Sequence, residues 1–213
     1  VIKTTGTQTY TGAVTLGAAA TLSGSGITTS GTVAMAGHNL TLTADSLSLG
    51  GTVSTASAAT LTIQPLTLSA TVGLGSSINS TSCGGSACTL TLNDTQLGYI
   101  NGSNFTGVVI GSTSGTGAIA YNTTNPVTFA SPLTIQSKST SGGGAITISS
   151  TLNTGSSNNL TISTYGAVSL STINTANALS VTGNGGITLN NSITTAGTQT
   201  YTGAVTLGAA ATL

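Results

Sequence analysis

Aliphatic residues alternate with threonine or serine almost everywhere along this chain, in runs of four to six positions. Leu40-Thr-Leu42, Leu47-Ser-Leu49, Leu61-Thr-Ile63, Leu90-Thr-Leu92, Ile146-Thr-Ile148, Leu160-Thr-Ile162, Val168-Ser-Leu170 and Ile187-Thr-Leu189 all read this way. Successive side chains of a strand point to opposite faces, so the aliphatic set lines one face and the hydroxyls the other. Threonine and the β-branched aliphatics suit such a pleated, half-buried surface. Glycine, asparagine and serine break the runs. The pattern predicts short strands joined by turns, with almost no helix.

A slower rhythm overlies the alternation. Leu160, Val168 and Ile173 are followed by Leu179, Ile187 and Ile193, at steps of 19, 19 and 20 residues. Near the start, Val14 to Val33 is 19 residues, and Ile27 to Leu47 and Val33 to Val53 are 20 each. Three short strands returning at that spacing match one coil of a parallel β-helix. A single coil cannot bury its own inner face, so it must stack on its neighbours. The turn spacing taken alone also fits a β-sandwich; the 19–20-residue return favours the solenoid.

Residues 1–22 come back as residues 192–213. Nineteen of the 22 positions are identical, and Gly6–Leu22 matches Gly197–Leu213 without a break at a constant offset of 191. Val1, Lys3 and Thr5 become Ser192, Thr194 and Ala196. Self-similarity at a fixed period marks repeat architecture. The expected fold is all-β: a right-handed parallel β-helix with three short strands per coil. Its expected organisation is regular coils over 1–64, an irregular stretch over 65–132, regular coils over 133–191, and the start of the next 191-residue repeat over 192–213. That makes roughly ten coils per unit, or on the order of 50 Å along the axis at the strand spacing.

The rhythm slips between Pro65 and Pro132, and all three prolines fall at or inside that stretch. Proline is unwelcome in a central strand, so these positions mark corners or excursions. The stretch holds Cys83-Gly-Gly-Ser-Ala-Cys88, and Asn93–Ile100 reads as one capped helical turn with Asn93 or Asp94 as the N-cap.

Composition narrows the function classes. Charged residues make up 2 % of the chain, namely Lys3, Asp45, Asp94 and Lys138, against about 25 % in ordinary soluble domains. With no arginine and zero net charge, no basic patch exists for nucleic acid or an anionic membrane. No apolar run approaches the roughly 18–20 residues of a membrane-spanning helix. Aromatic girdles of the kind a membrane barrel carries are absent too. So uncharged a surface suits an extracellular fibre better than a cytosolic monomer, and it offers trypsin-like proteases almost nothing to cut.

Several stretches resemble the repeats of very large filamentous-haemagglutinin-like exoproteins of Gram-negative bacteria, exported by two-partner or autotransporter-type routes. They are Leu61-Thr-Ile-Gln-Pro-Leu-Thr67 with Val72-Gly-Leu-Gly75, Leu92-Asn-Asp-Thr-Gln-Leu-Gly-Tyr-Ile100, and Gly107-Val-Val-Ile-Gly111 with Gly115-Thr-Gly-Ala-Ile119. Asn39-Leu-Thr-Leu-Thr-Ala44 and Gln199-Thr-Tyr-Thr-Gly-Ala-Val-Thr-Leu207 are similar to the family's ordinary rungs. Where the family's helical turn tends to carry acidic residues, this chain has Thr95 and Gln96. The resemblance implies a β-solenoid on the outer surface of the cell, acting in adhesion, biofilm or filament formation. Its partners would be neighbouring repeats stacked end to end, other fibres, a host surface or extracellular polysaccharide.

Candidate chemistry is sparse. Cys83 and Cys88, with one distant histidine, cannot build a four-ligand metal site, and their spacing is not that of a redox pair. A disulfide pinning a surface loop is the expected arrangement, and it implies an oxidising compartment. His38 lies in a turn with no base or nucleophile partner. Asp45 and Asp94 fit turn and cap chemistry, and they are poor material for the paired carboxylates of a glycosidase. No catalytic, cofactor-binding or metal-ligating residue is therefore assigned. Tyr99, Phe105 and Tyr121, in the irregular stretch, are the candidate partner surface. Two rival functions stay open: a carbohydrate-binding or carbohydrate-active β-helix, and an ice-binding solenoid presenting rows such as Thr41 and Thr43, Thr60 and Thr62, and Thr89 and Thr91.

Overall fold

The computed structural model describes residues 1–212, with the backbone alone at Thr175; Leu213, the last residue of the repeated segment, lies outside the described residues. Strands recur in three columns, and each turn of chain lies on the one before, giving a parallel β-solenoid of about ten layers. The first column is one continuous nine-stranded sheet: Ile2–Lys3, Ala20–Ser23, Leu40–Thr43, Ala59–Gln64, Phe105–Gly111, Leu133–Gln136, Leu160–Thr164, Leu179–Gly183 and Gln199–Thr202. The second column begins with Thr7–Tyr10, Gly26–Thr29 and Ser46–Leu49. It goes on as a seven-stranded sheet of Leu90–Leu92, Val72–Leu74, Ile119–Tyr121, Ile146–Ile148, Val168–Leu170, Ile187–Leu189 and Val205–Leu207. The third column holds Val14–Thr15, Val33–Ala34 and Val53–Ser54, and later Leu152–Asn153, Ile173–Ala176 and Ile193–Thr195.

Register explains why the alternation is so regular. In the first column Leu40, Leu61, Val108, Leu133, Leu160 and Leu179 stand directly beside one another. Two residues further along each strand, Leu42, Ile63, Ile110, Ile135, Ile162 and Val181 do the same. Both rows are buried throughout. Burying one such side chain contributes about 1.5–3 kcal/mol. A one-residue slip would turn every one of them outward, so the pattern fixes the register. The positions between them face solvent and form the row Thr21, Thr41, Thr62, Val109, Thr134, Thr161, Ser180 and Thr200.

The corners are built from glycine and hydroxyl residues. Gly117, Gly144, Gly166 and Gly185 stack so closely that a side chain on any of the last three would overlap the backbone of the coil before it. Beside them, the buried Ser137 hydroxyl donates to the Gly115 carbonyl at 2.7 Å, and Thr164 Oγ1 donates to the Gly144 carbonyl at 2.6 Å. Buried hydroxyls thus satisfy carbonyls that the tight bend takes out of the ladders.

Thr29 is the exception. It lies in an inward row between Tyr10 and Leu49, and its buried hydroxyl has no partner among the described residues. Thr29→Val should therefore raise stability by about 1 kcal/mol, because it removes an unsatisfied polar group at constant shape. A urea titration reads this as a higher midpoint; a lower one would show that the hydroxyl is satisfied after all.

The last regular coil before the excursion opens with the strand Ala59–Gln64. One turn of the solenoid then absorbs the whole excursion up to Phe105. The strands on either side of it pair directly, and the hydroxyls of Thr60 and Thr106, 46 residues apart, lie 2.9 Å from each other. From Ile2 to Leu179 the first column advances seven steps, and Ile193 lies two columns further on. One 191-residue repeat is thus shorter in coils than the roughly ten expected from spacing alone, because this single turn consumes so much chain.

Candidate functional site

Within the excursion the second column is visited twice. The chain forms Val72–Leu74, leaves through a loop, and returns as Leu90–Leu92, which pairs with Val72–Leu74 in parallel. The returning strand lies on the side facing Ser46–Leu49, so the second column carries one strand more than the first. Helix α1 (Asp94–Tyr99) follows at once and packs on Ser46–Leu49 and Leu90–Leu92, with Leu97 fully buried. It interrupts the third column: just beyond it, the Asn101 carbonyl accepts from Ala130 N at 3.0 Å, and Phe129 N in turn donates to the Asn153 carbonyl.

The helix is as short as its sequence implies. Asn93 is the N-cap: its Oδ1 accepts from Gln96 N at 2.9 Å, while Gln96 Oε1 accepts from Asn93 N at 3.1 Å. This reciprocal pair is a capping box. Gln96 fills the role without an acidic side chain.

That leaves the Asp94 carboxylate free to tie three segments together. Oδ1 accepts from Ser76 N at 2.7 Å, and Oδ2 accepts from Thr124 N at 3.1 Å and Asn125 N at 2.9 Å. Partial burial alone would raise its pKa, but the donors from Asn125, Ser76 and Thr124 outweigh burial and hold it below the ordinary carboxylate value of 3.8. A carboxyl depressed in the folded state contributes stability above its unfolded pKa and loses it as pH falls through the folded value. Thermal unfolding followed from about pH 5 down to pH 2 should show the excursion loosening in that acid range. Asp94→Asn should flatten the dependence; an unchanged pH profile in that variant would exclude Asp94 as its source.

The Cys83–Cys88 disulfide is present. It lies against the shaft: Cys83 is buried, its sulfur is 3.3 Å from the Val72 carbonyl, and a side chain at Gly73 would run into Cys88 and Ile78. The loop therefore covers the outer face of Val72–Leu74. Replacing both cysteines by serine should cost about 2 kcal/mol by the loop-entropy estimate. Hydrogen exchange should show the loss confined to residues 72–92, and uniform loss of protection would contradict this local role.

The candidate partner surface needs correction. Phe105 and Tyr121 are buried, and Tyr99 is half-buried against the core. Tyr121 occupies an inward position between Leu74 and Ile148, and burial pushes its phenol pKa up. Phe105 opens a first-column strand beside Ala59. Both aromatics are core residues where the excursion rejoins the coils.

The exposed apolar side chains lie elsewhere. Leu66 and Leu68 project from the start of the excursion, and Tyr165 from a later corner. Backbone bonds link these corners in series: Thr116 N donates to Leu68 O, Lys138 N to Gly115 O, and Tyr165 N to Lys138 O. They form a ridge carrying one of the two lysines. Pro65 was the available signal: a proline ahead of Leu66-Thr-Leu68 breaks the ladder, so those leucines need not face inward.

His38 sits in a tight turn, where His38 N donates to Met35 O and Ala36 takes a φ of 51°. Asp45 accepts from the amide and hydroxyl of Thr67 at 2.8 and 2.6 Å. Among the described residues, no three of His, Cys, Asp and Glu come together, and no helix is long and apolar enough to cross a membrane. The fold places the chain among parallel β-solenoid repeat proteins. Comparison with protein-family models, curated proteins and solved structures found no match.

Proposed function

We propose that this chain is a stretch of the shaft of a long extracellular fibre or adhesin on a bacterial surface, of the filamentous-haemagglutinin-like kind. Its role in attachment, biofilm or filament formation is mechanical and involves no catalysis. The observation that carries this reading is the unbroken nine-strand ladder with the same 17-residue run, Gly6–Leu22 and Gly197–Leu213, at either end of it. Backbone ladders along one axis and a continuous aliphatic core resist extension and bending, which is what a shaft requires. The near absence of charge and of trypsin sites, and a disulfide that persists in oxidising surroundings, support an external location.

Antibodies raised against the folded protein should stain intact cells that make it, and cells lacking it should lose most of their attachment. Staining that requires permeabilisation, or undiminished attachment, would overturn the reading. The ridge of Leu66, Leu68 and Tyr165 is where contact with other surfaces would fall first. Leu68→Asp combined with Tyr165→Ser should lower attachment several-fold with an unchanged Tm, since neither side chain is in the core.

A second reading has one observation in its favour. The outward first-column row is threonine at six of its eight positions, broken by Val109 and Ser180. An ice-binding role would show as thermal hysteresis of the purified protein, and its absence removes that reading.

A further inference from the structure

The two copies of the repeated segment fold alike but sit in different columns. In both, the same hydrogen bonds form. Gln8 Nε2 donates to the Ile2 carbonyl at 3.1 Å, and Gln199 Nε2 to that of Ile193 at 3.2 Å. Tyr10 OH donates to Gln8 Oε1 at 2.9 Å, and Tyr201 OH to Gln199 Oε1 at 2.7 Å. Thr4 Oγ1 donates to the Gly6 carbonyl, and Thr195 Oγ1 to that of Gly197, both at 2.9 Å. Yet Ile2–Lys3 lies in the first column and Ile193–Thr195 in the third. Thr7–Tyr10 lies in the second and Gln199–Thr202 in the first. Val14–Thr15 lies in the third and Val205–Leu207 in the second. Three successive strands shift by one column in the same direction.

A repeat made of whole coils would return each strand to its own column. Here the period is seven whole turns, one of them filled by the excursion, plus the two columns from Leu179–Gly183 through Ile187–Leu189 to Ile193–Thr195.

The two copies also use opposite edges of the same strand. Thr7–Tyr10 pairs with the strand after it, Gly26–Thr29, while Gln199–Thr202 pairs with the strand before it, Leu179–Gly183. Nothing in the segment prevents both pairings at once, with Tyr201 between Val181 and the counterpart of Thr29. A second copy of this unit supplies both edges, because residues 192–213 repeat residues 1–22 at nineteen positions.

We propose that successive 191-residue units stack as a three-fold screw. Each unit is turned by two thirds of a turn relative to the one before, so the disulfide loop and the Leu66–Leu68–Tyr165 ridge face a different side in each of three consecutive units. A fibre built this way presents its excursions all round its circumference. The inference rests on the shaft reading above and adds a symmetry that reading does not require.

The test is a tandem chain, residues 1–213 followed directly by residues 23–213, carrying one spin label per unit. The native cysteines are paired, so labels enter only at introduced sites. Thr134 faces outward in the first column and Thr147 in the second, in the same coil. The screw places Thr147 of the second unit on the face of Thr134 of the first. Thr134→Cys in the first unit should therefore give a shorter distance to Thr147→Cys than to Thr134→Cys in the second. The reverse order would overturn the screw while leaving an end-to-end shaft intact. Broad distributions for both pairs would overturn the screw and the shaft together.

Discussion

Ile162→Ala should destabilise the solenoid by about 3 kcal/mol, within the range for large-to-small changes in a close-packed core. Ile162 is fully buried, with Ile135 on one side and Val181 on the other in direct register. Truncation removes its own buried surface and leaves both neighbours facing a void. In a stack where each coil touches only its neighbours, stability is close to a sum of coil and interface contributions. The loss should therefore weaken two interfaces at once and lower the urea midpoint clearly. Tyr165→Ala, three residues away but exposed, should fall within about 0.5 kcal/mol of the parent protein. Equal effects from the two variants would mean that the inward row does not carry the fold.

Gly111→Val should be worse still, at about 3 kcal/mol or more, because strain and collision add. Gly111 has a φ of 94°, and a Cβ there would run into the Gln136 carbonyl of the next coil and the Ile119 side chain. It ends the first strand after the excursion, paired with Gln136 at the last position of the ladder to Leu133–Gln136. A side chain there would pry apart the two coils that restart the regular stack. The contrast is Gly98, which lies in helix α1 with open space where a Cβ would stand. Gly98→Ala should stabilise by up to about 1 kcal/mol through helix propensity alone. If Gly111→Val unfolds at the parent's temperature, the tight approach at this corner is not obligatory.

The regular coils were legible because their physics is local and periodic. Alternation says which side chains of Leu40–Thr43 or Leu160–Thr164 face inward, and the 19–20-residue return says which strand lies beside which. The Asn93 cap was legible for the same reason, since a capping box spans four residues. The excursion was not. That Leu90–Leu92 inserts between Ser46–Leu49 and Val72–Leu74 depends on pairing between segments whose order in space differs from their order in the chain. Phe105 and Tyr121 looked like surface aromatics because their neighbours are polar and irregular. They are core because Phe105 opens and Tyr121 closes the strands that rejoin the stack. Asp94 directly follows the cap, but its bonds to Ser76, Thr124 and Asn125 span 18 to 31 residues and leave no local trace. The column shift between the duplicated segments was hidden likewise: identical sequence gives identical local structure and says nothing about the column it occupies.

Small-angle X-ray scattering tests the end-to-end stack most directly, by comparing residues 1–213 with the tandem chain of residues 1–213 followed by 23–213. Seven steps and two thirds at the strand spacing amount to on the order of 40 Å of added axis. The maximum dimension should grow by about that length while the cross-sectional radius stays the same. A tandem chain that thickens without lengthening would mean that the units pack side by side, and would contradict the end-to-end stack.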